Sequence, residues 1–376
     1  MRVAITGMAL ASPFGSAEDA FWHGICHGPT PVRPYSSEPD YPGLACLSAA
    51  LPADSFPPRP DLGWHRAAHL GADLGQRALV AAGYGALPSG VGLALGSYWS
   101  EEDHARRSQP PPLLPALLSD LGITGPAANL PVACASGNTA IAWGAARIRN
   151  GHAPVMLAGG LDVLGPLAAG SYLYLDNLTH NLPRPFSANR DGFLYGEGGA
   201  MFVLEPLETA RQAGRLILAE VCGTGNAHDA SHPTRPDPAG GGLVRAMRQA
   251  LAQAGLEPAA VGYVNAHSPG TIVNDPGEAA ALATVFGPRK VPVSSTKGAL
   301  GHAQGGANAL EAAACVLALR HGLAPPTMNL DAPDPALAID AIAGSPRPLS
   351  TRFALSLASS LGGATCAILL GKGDGA

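Results

Sequence analysis

Leu130–Gly144 reads LPVACASGNTAIAWG. An apolar run leads to Cys134 among small residues, and an Ala-rich stretch predicts a helix over Gly137–Asn150. A strand that turns sharply into a helix belongs to α/β architecture. The same turn puts Cys134 at a helix N-terminus, where the dipole and unpaired N–H groups lower a thiol's pKa. It also exposes the sulfur in the manner of a nucleophile elbow. Taken alone, a cysteine is more often a small buried hydrophobe, and Cys26, Cys46, Cys222, Cys315 and Cys366 carry only that reading.

Outward from this turn, short apolar runs alternate with helical stretches. Val3–Thr6, Val91–Leu95, Val155–Ala158 and Met201–Leu204 read as buried strands, with helices over Ala67–Ala82 and Glu208–Ala213. The second half repeats the style. Strands are predicted at Leu216–Cys222, Val261–Ala266, Val291–Ser294, Phe353–Ala358 and Cys366–Leu370, and helices at Gly242–Ala254, Glu278–Phe286 and Asn308–His321. Fully apolar strands alternating with helices predict sheets covered on both faces. Leu355–Leu369 (LSLASSLGGATCAIL) echoes the opening of Leu130–Gly144, a hint of duplication. Asn226–Gly242 and Ser108–Pro115, rich in Pro or Gly, read as surface loops. Ala153–Leu175 is the most membrane-like stretch, but Asp162, Pro154 and Pro166 make it a buried strand plus loop.

The chain has 376 residues, 47% hydrophobic and 14% charged, with net charge -5. That length fits two or three domains or one large duplicated one. Scattered basic residues and the acidic balance exclude nucleic acid and anionic membranes as expected partners. Six cysteines without CxxC or Cys/His metal spacing imply free thiols, no metal and a cytoplasmic setting. Met1-Arg2-Val-Ala-Ile-Thr-Gly7 reads as a first strand, and Pro13 follows too soon for a signal peptide.

Two further segments carry chemistry. His267, in Tyr263-Val-Asn-Ala-His-Ser-Pro-Gly-Thr271, follows an apolar strand and points to the crevice beyond the sheet's carboxyl edge. Taken alone it fits a structural histidine as well. Ser294-Ser-Thr-Lys-Gly-Ala-Leu-Gly-His302 places Lys297 and His302 across glycines after another strand, and glycines beside a histidine suggest close backbone approach to a ligand. Glu311, on the next helix, can pair with Lys297, as a buried ammonium requires.

These three segments, in this order, resemble the β-ketoacyl synthases. Cys134 and His267 are 133 residues apart, and His267 and His302 are 35 apart. Ile5–Gly15 is similar to the family's opening strand, Arg184-Pro-Phe-Ser-Ala-Asn-Arg-Asp-Gly-Phe-Leu-Tyr-Gly-Glu-Gly198 to its central motif, and Asn274-Asp275 with Glu278 to the segment after its first histidine. The resemblance implies an α/β thiolase fold: two similar halves, here 1–215 and 216–376, stacked in five α-β-α-β-α layers. It implies that Cys134 takes an acyl chain, and that His267 and His302 promote decarboxylation of a malonyl thioester and stabilise the enolate. Lys297 and Glu311 would support the histidines. Backbone N–H groups of Cys134 and Leu361 would form the oxyanion hole. Thr271, Ser360 and Leu361 would contact substrate, Thr271 through the phosphopantetheine arm. No cofactor would be bound by the enzyme; the acyl carrier protein would supply that arm. The implied assembly is a homodimer or a heterodimer with a chain-length-factor-like subunit.

Two motifs depart from the family. His267-Ser-Pro-Gly-Thr271 stands where it often has His-Gly-Thr-Gly-Thr, and Pro269 removes a hydroxyl and an N–H. Leu357-Ala-Ser-Ser-Leu-Gly-Gly363 stands where it often has Asn-Ser-Phe-Gly-Phe-Gly-Gly. Leu361 thus replaces a gating phenylalanine and Ser360 a hinge glycine. The Glu101–Gly125 segment is short relative to housekeeping members. These departures suggest a specialised fatty-acid, polyene or polyketide-like pathway. The alternatives are acyl transfer or hydrolysis without condensation, a thiolase using Cys366, and a non-catalytic partner subunit. Intact His302, Lys297 and Glu311 argue against the first, the sequence around Cys366 against the second, and intact Cys134 against the third.

Overall fold

A computed structural model describes residues 1–36, 43–53, 66–99, 112–349 and 351–374. Eleven strands form its main sheet: β1 Val3–Ala11, β2 Gly92–Gly96, β3 Ala127–Asn129, β4 Met156–Asp162, β5 Gly198–Pro206, β6 Ala219–His228, β7 Val261–Asn265, β8 Pro292–Ser294, β9 Asp340–Ala341, β10 Phe353–Ser359 and β11 Ala364–Lys372. The helices are α1 Glu18–His27, α2 Arg66–Ala81, α3 Leu113–Leu121, α4 Ser136–Arg149, α5 Pro166–Tyr174, α6 Leu207–Gln212, α7 Gly241–Ala254, α8 Asn274–Phe286, α9 Lys297–Leu300 and α10 Ala307–His321.

The spatial order is β9-β8-β7-β10-β11-β6-β1-β5-β4-β2-β3. β6 and β1 pair antiparallel at the middle. Outward from that seam, the first half runs β1-β5-β4-β2-β3 and the second β6-β11-β10-β7-β8. Numbered within its half, with the two-residue edge strand β9 left out, each follows the same order, first-fifth-fourth-second-third. The two inner pairings of each are antiparallel and the two outer ones parallel. Duplication is therefore written in the topology.

Side chains alternate between faces along these strands. In β4, Met156 and Ala158 join the central cluster, while Leu157 and Leu161 join a cluster under α2 and α3. In β10, Ala354 and Ala358 face the centre, and Leu355 and Leu357 face α7 and α8. Both faces are covered, so the strands read as continuous apolar runs rather than alternating ones. α4 and α10 lie back to back at the centre and touch strands of both halves. α10 is buried from Ala307 to Leu319, which explains its apolar circumference. Helices thus lie outside, between and outside the two half-sheets.

The sequence misplaced some elements. α5 occupies the stretch read as loop in Ala153–Leu175; Pro166 sits at its first turn, where a missing N–H is harmless. The Ser108–Pro115 loop is helical from Leu113, with Pro112 as N-cap; its residues 108–111 lie outside the described residues, as do 101–111 of the Glu101–Gly125 segment. β6 runs on to His228 and α7 starts at Gly241, shortening the Asn226–Gly242 loop to 229–240. The echo between Leu130–Gly144 and Leu355–Leu369 joins unlike elements: the first is a turn entering α4, the second the β10–β11 hairpin. Among the described residues, no helix is long and apolar enough to cross a membrane.

Candidate active site

Cys134 sits in a single 3-10 turn, Ala133–Ala135, that leads into α4. Ala133 takes a left-handed φ of 47°, a costly conformation for a residue with a Cβ. Ser136 staples the turn: its hydroxyl donates to Ala133 O at 2.6 Å and accepts from Val132 N at 2.9 Å. The thiol is buried at the floor of a cleft of about 530 Å³, open mouth included. Burial pushes the thiol up to about 11, against the pull of Lys297 and of the nearby Tyr172 hydroxyl. The expected depressed pKa is thus overturned, because desolvation outweighs the helix terminus.

His267 follows β7, and α8 fixes its loop. Glu278 accepts from His267 N at 2.8 Å and from Ser268 N and Oγ, both at 2.6 Å. Asp275, one helical turn earlier, accepts from Gly270 N at 3.1 Å and Phe186 N at 2.8 Å. Burial raises both carboxyls, Asp275 to about 7. The Ser268 hydroxyl is spent on Glu278, so it stabilises the loop.

His302 follows α9 through Gly301, whose φ is 67°. Its backbone N donates to Leu194 O at 2.8 Å, and its O accepts from Gly196 N at 3.1 Å. Phe193 packs edge-on to its ring at 5.0 Å. The Arg184–Gly198 motif is therefore the cradle of the second histidine.

The rings of His267 and His302 lie 5.5 Å apart, nearly perpendicular. Gln304 N donates to His302 Nδ1 at 3.2 Å, and the Lys297 ammonium lies 3.4 Å from His267 Nδ1. Both Nδ1 atoms are thus acceptors, which assigns the proton of each neutral ring to Nε2. Burial and Lys297 hold both rings well below the usual imidazole range. Lys297 also donates to His267 O at 2.6 Å and pairs with Glu311, whose other oxygen accepts from Asn308 Nδ2 at 2.6 Å.

The cleft gathers Cys134, His267, His302, Thr271, Ser360 and Leu361 in one place, with Lys297 and Glu311 behind the histidines. Ser360 Oγ donates to Ala364 O at 3.2 Å, inside the β10–β11 hairpin. Leu361 stands at that hairpin's tip, 36% exposed, before Gly362 and Gly363 with φ of 85° and 87°. Tyr172, Asn177, Phe193, Thr234 and Pro236 also line the cleft and were not singled out in the sequence. Phe193 lay within a quoted motif; Tyr172 had no local signal.

Residues 111–210 match the sequence profile described as Beta-ketoacyl synthase, N-terminal domain, and residues 218–331 that of Beta-ketoacyl synthase, C-terminal domain. The chain belongs to the β-ketoacyl synthase family. This ketoacyl synthase is 35% identical over 401 residues to Nodulation protein E of Rhizobium meliloti (strain 1021), covering 99% of each. It is 31% identical over 413 residues to the tetracenomycin polyketide synthase ketoacyl synthase alpha subunit of Streptomyces glaucescens, covering 99% of this chain and 97% of that one. The solved ishigamide ketosynthase/chain length factor matches it with a TM-score of 0.90 at 29% identity, over 99% of each chain. The ketoacyl synthase has the thiolase fold and is an acyltransferase-type condensing enzyme.

Proposed function

We propose that the protein condenses an acyl group held on Cys134 with a malonyl thioester on an acyl carrier protein, in a specialised fatty-acid, polyene or polyketide-like pathway. The observation that carries this reading is the pair of neutral imidazoles, each protonated on Nε2, lining the same cleft as a buried elbow cysteine.

Cys134 Sγ attacks the carbonyl of the donor thioester, and its proton leaves with the pantetheine thiol. The Cys134 and Leu361 N–H groups serve the developing oxyanion. The malonyl arm then enters past Thr271. Its carboxylate departs as CO2, and the electron pair becomes an enolate whose oxygen accepts from the Nε2–H groups of His267 and His302. Loss of CO2 makes the carbanion, so neutral donors suffice and no strong base is required. The carbanion attacks the acyl carbonyl, the C–S bond breaks, and the Cys134 thiolate takes up a proton. Lys297 and Glu311 act on the histidines, holding His267 through its carbonyl and Nδ1.

Thr271 Oγ1 accepts from Asn274 N at 3.1 Å, which orients its hydroxyl at the cleft wall. We assign the phosphopantetheine arm to the carrier protein and no cofactor to the enzyme itself. We place the boundary between the halves at 215/216, ahead of the first strand of the second half. The protein works in the cytoplasm as a homodimer or beside a chain-length-factor-like subunit; the Rhizobium and Streptomyces relatives support the specialised pathway.

The test is intact mass after incubation with a panel of acyl-carrier proteins, followed by malonyl-carrier protein. An acyl adduct on Cys134 that is discharged into a β-ketoacyl carrier is expected. Release only to water would make the protein a transferase or hydrolase. No adduct with any donor, even beside partner subunits, would make it a scaffold.

A further inference from the structure

A second cavity, of about 1230 Å³ with its open mouth included, lies at the ends of β1, β6, β10 and β11 away from Cys134. β11 spans the distance, from the cleft hairpin at Ala364 to the cavity at Lys372. At roughly 3.4 Å per residue its nine residues put the two sites about 27 Å apart. α4 spans it too, with the Cys134 turn at its start and Arg149 as its last residue.

Strand pairing gathers charge there. Val3 pairs with Val221, and Gly371 pairs with both Glu220 and Phe353, so Arg2, Arg352 and Lys372 stand in one row. Lys372 N donates to Arg352 O at 2.8 Å. Arg149 joins them from α4, its Nη2 donating to Val221 O at 2.7 Å. Four basic side chains thus line one cavity in a chain of net charge -5. Its acceptors are engaged. Glu220 takes Arg2 on both oxygens, at 2.8 and 2.5 Å, and Asp374 pairs with Arg211. Gln253 Oε1 accepts from Thr224 N at 2.8 Å.

The unspent groups are donors. Among the described residues, the side chains of Arg352 and Lys372 make no hydrogen bond or ion pair, and Gln253 Nε2 donates to nothing. Arg149 has no carboxylate partner, and burial pulls it below the usual guanidinium range. The last turn of α4 accounts for Arg149 alone. α7 also ends at the cavity, but N–H groups of Gly255 and Leu256 already close its last carbonyls, so it calls for no cation. A wall of unpaired donors takes an acceptor-rich anion. Three cations without a carboxylate suit a phosphate better than a single carboxylate, and the guanidinium forks match its oxygens. Half-buried Leu256 and Phe353 add an apolar wall beside them.

We propose that this cavity binds a phosphorylated small molecule, its phosphoryl oxygens on Arg149, Arg352 and Lys372 and its organic body against Leu256 and Phe353. The site is remote from Cys134 and stands whether or not the protein condenses.

The full-length protein is titrated by calorimetry with pyrophosphate, adenosine triphosphate and glucose 6-phosphate. Saturable binding that weakens with salt is expected. A nucleotide or sugar phosphate that binds tighter than pyrophosphate identifies the source of the body. Pyrophosphate alone overturns the part given to Leu256 and Phe353. Arg352→Gln/Lys372→Gln should weaken binding by roughly tenfold for each cation removed. Arg352→Lys/Lys372→Arg, which keeps both charges, should recover most of it. Location is read by phenylglyoxal labelling and peptide mass. The tightest probe should shield Arg149 and Arg352 and leave Arg235, on the loop beside the Cys134 cleft, as reactive as before. No saturable binding at millimolar concentration, full affinity in Arg352→Gln/Lys372→Gln, or shielding of Arg235 in place of Arg352 overturns the proposal. Should the glutamine pair fail to fold, the footprint on the wild-type protein decides.

Discussion

Lys297→Met isolates the buried pair behind the histidines. Lys297 and Glu311 are 1% and 2% exposed, and Lys297 also holds the His267 carbonyl at 2.6 Å. Removing one partner of a buried pair costs about 3–5 kcal/mol. At about 2.1 cal/mol/K of unfolding entropy per residue, a chain this size loses roughly 1.3 °C per kcal/mol, hence about 4–6 °C in Tm. The cost should also depend on pH in one direction. Burial already pushes Glu311 up to about 7, with Lys297 as the largest opposing pull. Without Lys297 the folded carboxyl binds its proton more tightly still than the unfolded one does. Such a group adds stability below its unfolded pKa and loses it as pH rises through the folded value. Wild type shares that loss up to about pH 7, so the variant's deficit should be nearly constant between pH 5 and 7 and grow above it by up to about 1.4 kcal/mol per unit. Urea unfolding of wild type, Lys297→Met and Lys297→Met/Glu311→Gln at four pH values measures this. The double variant, with no carboxylate left to bury, should regain stability at pH 8 and lose the pH dependence. A pH-independent deficit, or a double variant no more stable than Lys297→Met at pH 8, would refute the reasoning.

Cys134→Ala should abolish the acyl adduct yet keep decarboxylation of malonyl-carrier protein, measured as CO2 release, because the two imidazoles remain. That decarboxylation should hold its rate as pH falls through 6.5 and fail only further down, since both folded histidines lose their neutral form below the ordinary value. Ala133→Gly should stabilise the fold by about 1 kcal/mol in urea unfolding, relieving the left-handed φ of 47°. Gly137→Ala should destabilise it by roughly 1–2 kcal/mol. Its Cβ would lie 2.8 Å from Ala309 N and 2.9 Å from Gly305 O, both rigid backbone, and the overpacking exceeds the helix-propensity gain of about 1 kcal/mol.

Much of this site was legible because its signals are local. A cysteine between an apolar run and a helix, and histidines beside glycines after strands, can be read within ten residues. The electrostatics were not. The helix terminus at Cys134 is visible in sequence, but the burial that overrides it comes from rings brought in by distant segments. Tyr172 and Trp99 meet across 73 residues, one in a stretch read as loop. The carboxylates of α8 were noticed as residues, yet their task of receiving the N–H groups of the His267 loop depends on a fold-back no periodicity encodes. The duplication was sensed through the wrong pair, because similar small-residue composition serves both a helix-entry turn and a hairpin.

The correct pairing of the halves explains why only one elbow carries a nucleophile. In each half, the third strand leads to a 3-10 turn and a long central helix: Ala133–Ala135 before α4, and Gln304–Gly306 before α10. The first residue of each turn is left-handed, Ala133 at φ 47° and Gln304 at 54°. Cys134 therefore corresponds to Gly305. Gly305 N donates to Asp162 Oδ2 at 2.8 Å, and a Cβ there would fall 2.7 Å from that same oxygen and 3.1 Å from Gly96 O. The second elbow is pressed against the first half's strand ends and has no room for a side chain. Asp162 in turn accepts from Ser97 Oγ at 2.8 Å, tying the end of β4 to the residue that follows β2. The second half therefore lends its elbow as a floor for the first. Its reactive groups come instead from the segments before that elbow: His302 reaches the cleft from the segment after β8 and α9, with Lys297 behind it, and His267 from the end of β7. An ancestral symmetry of backbone has been kept, and the chemistry has been divided across it by which elbow had space for a sulfur.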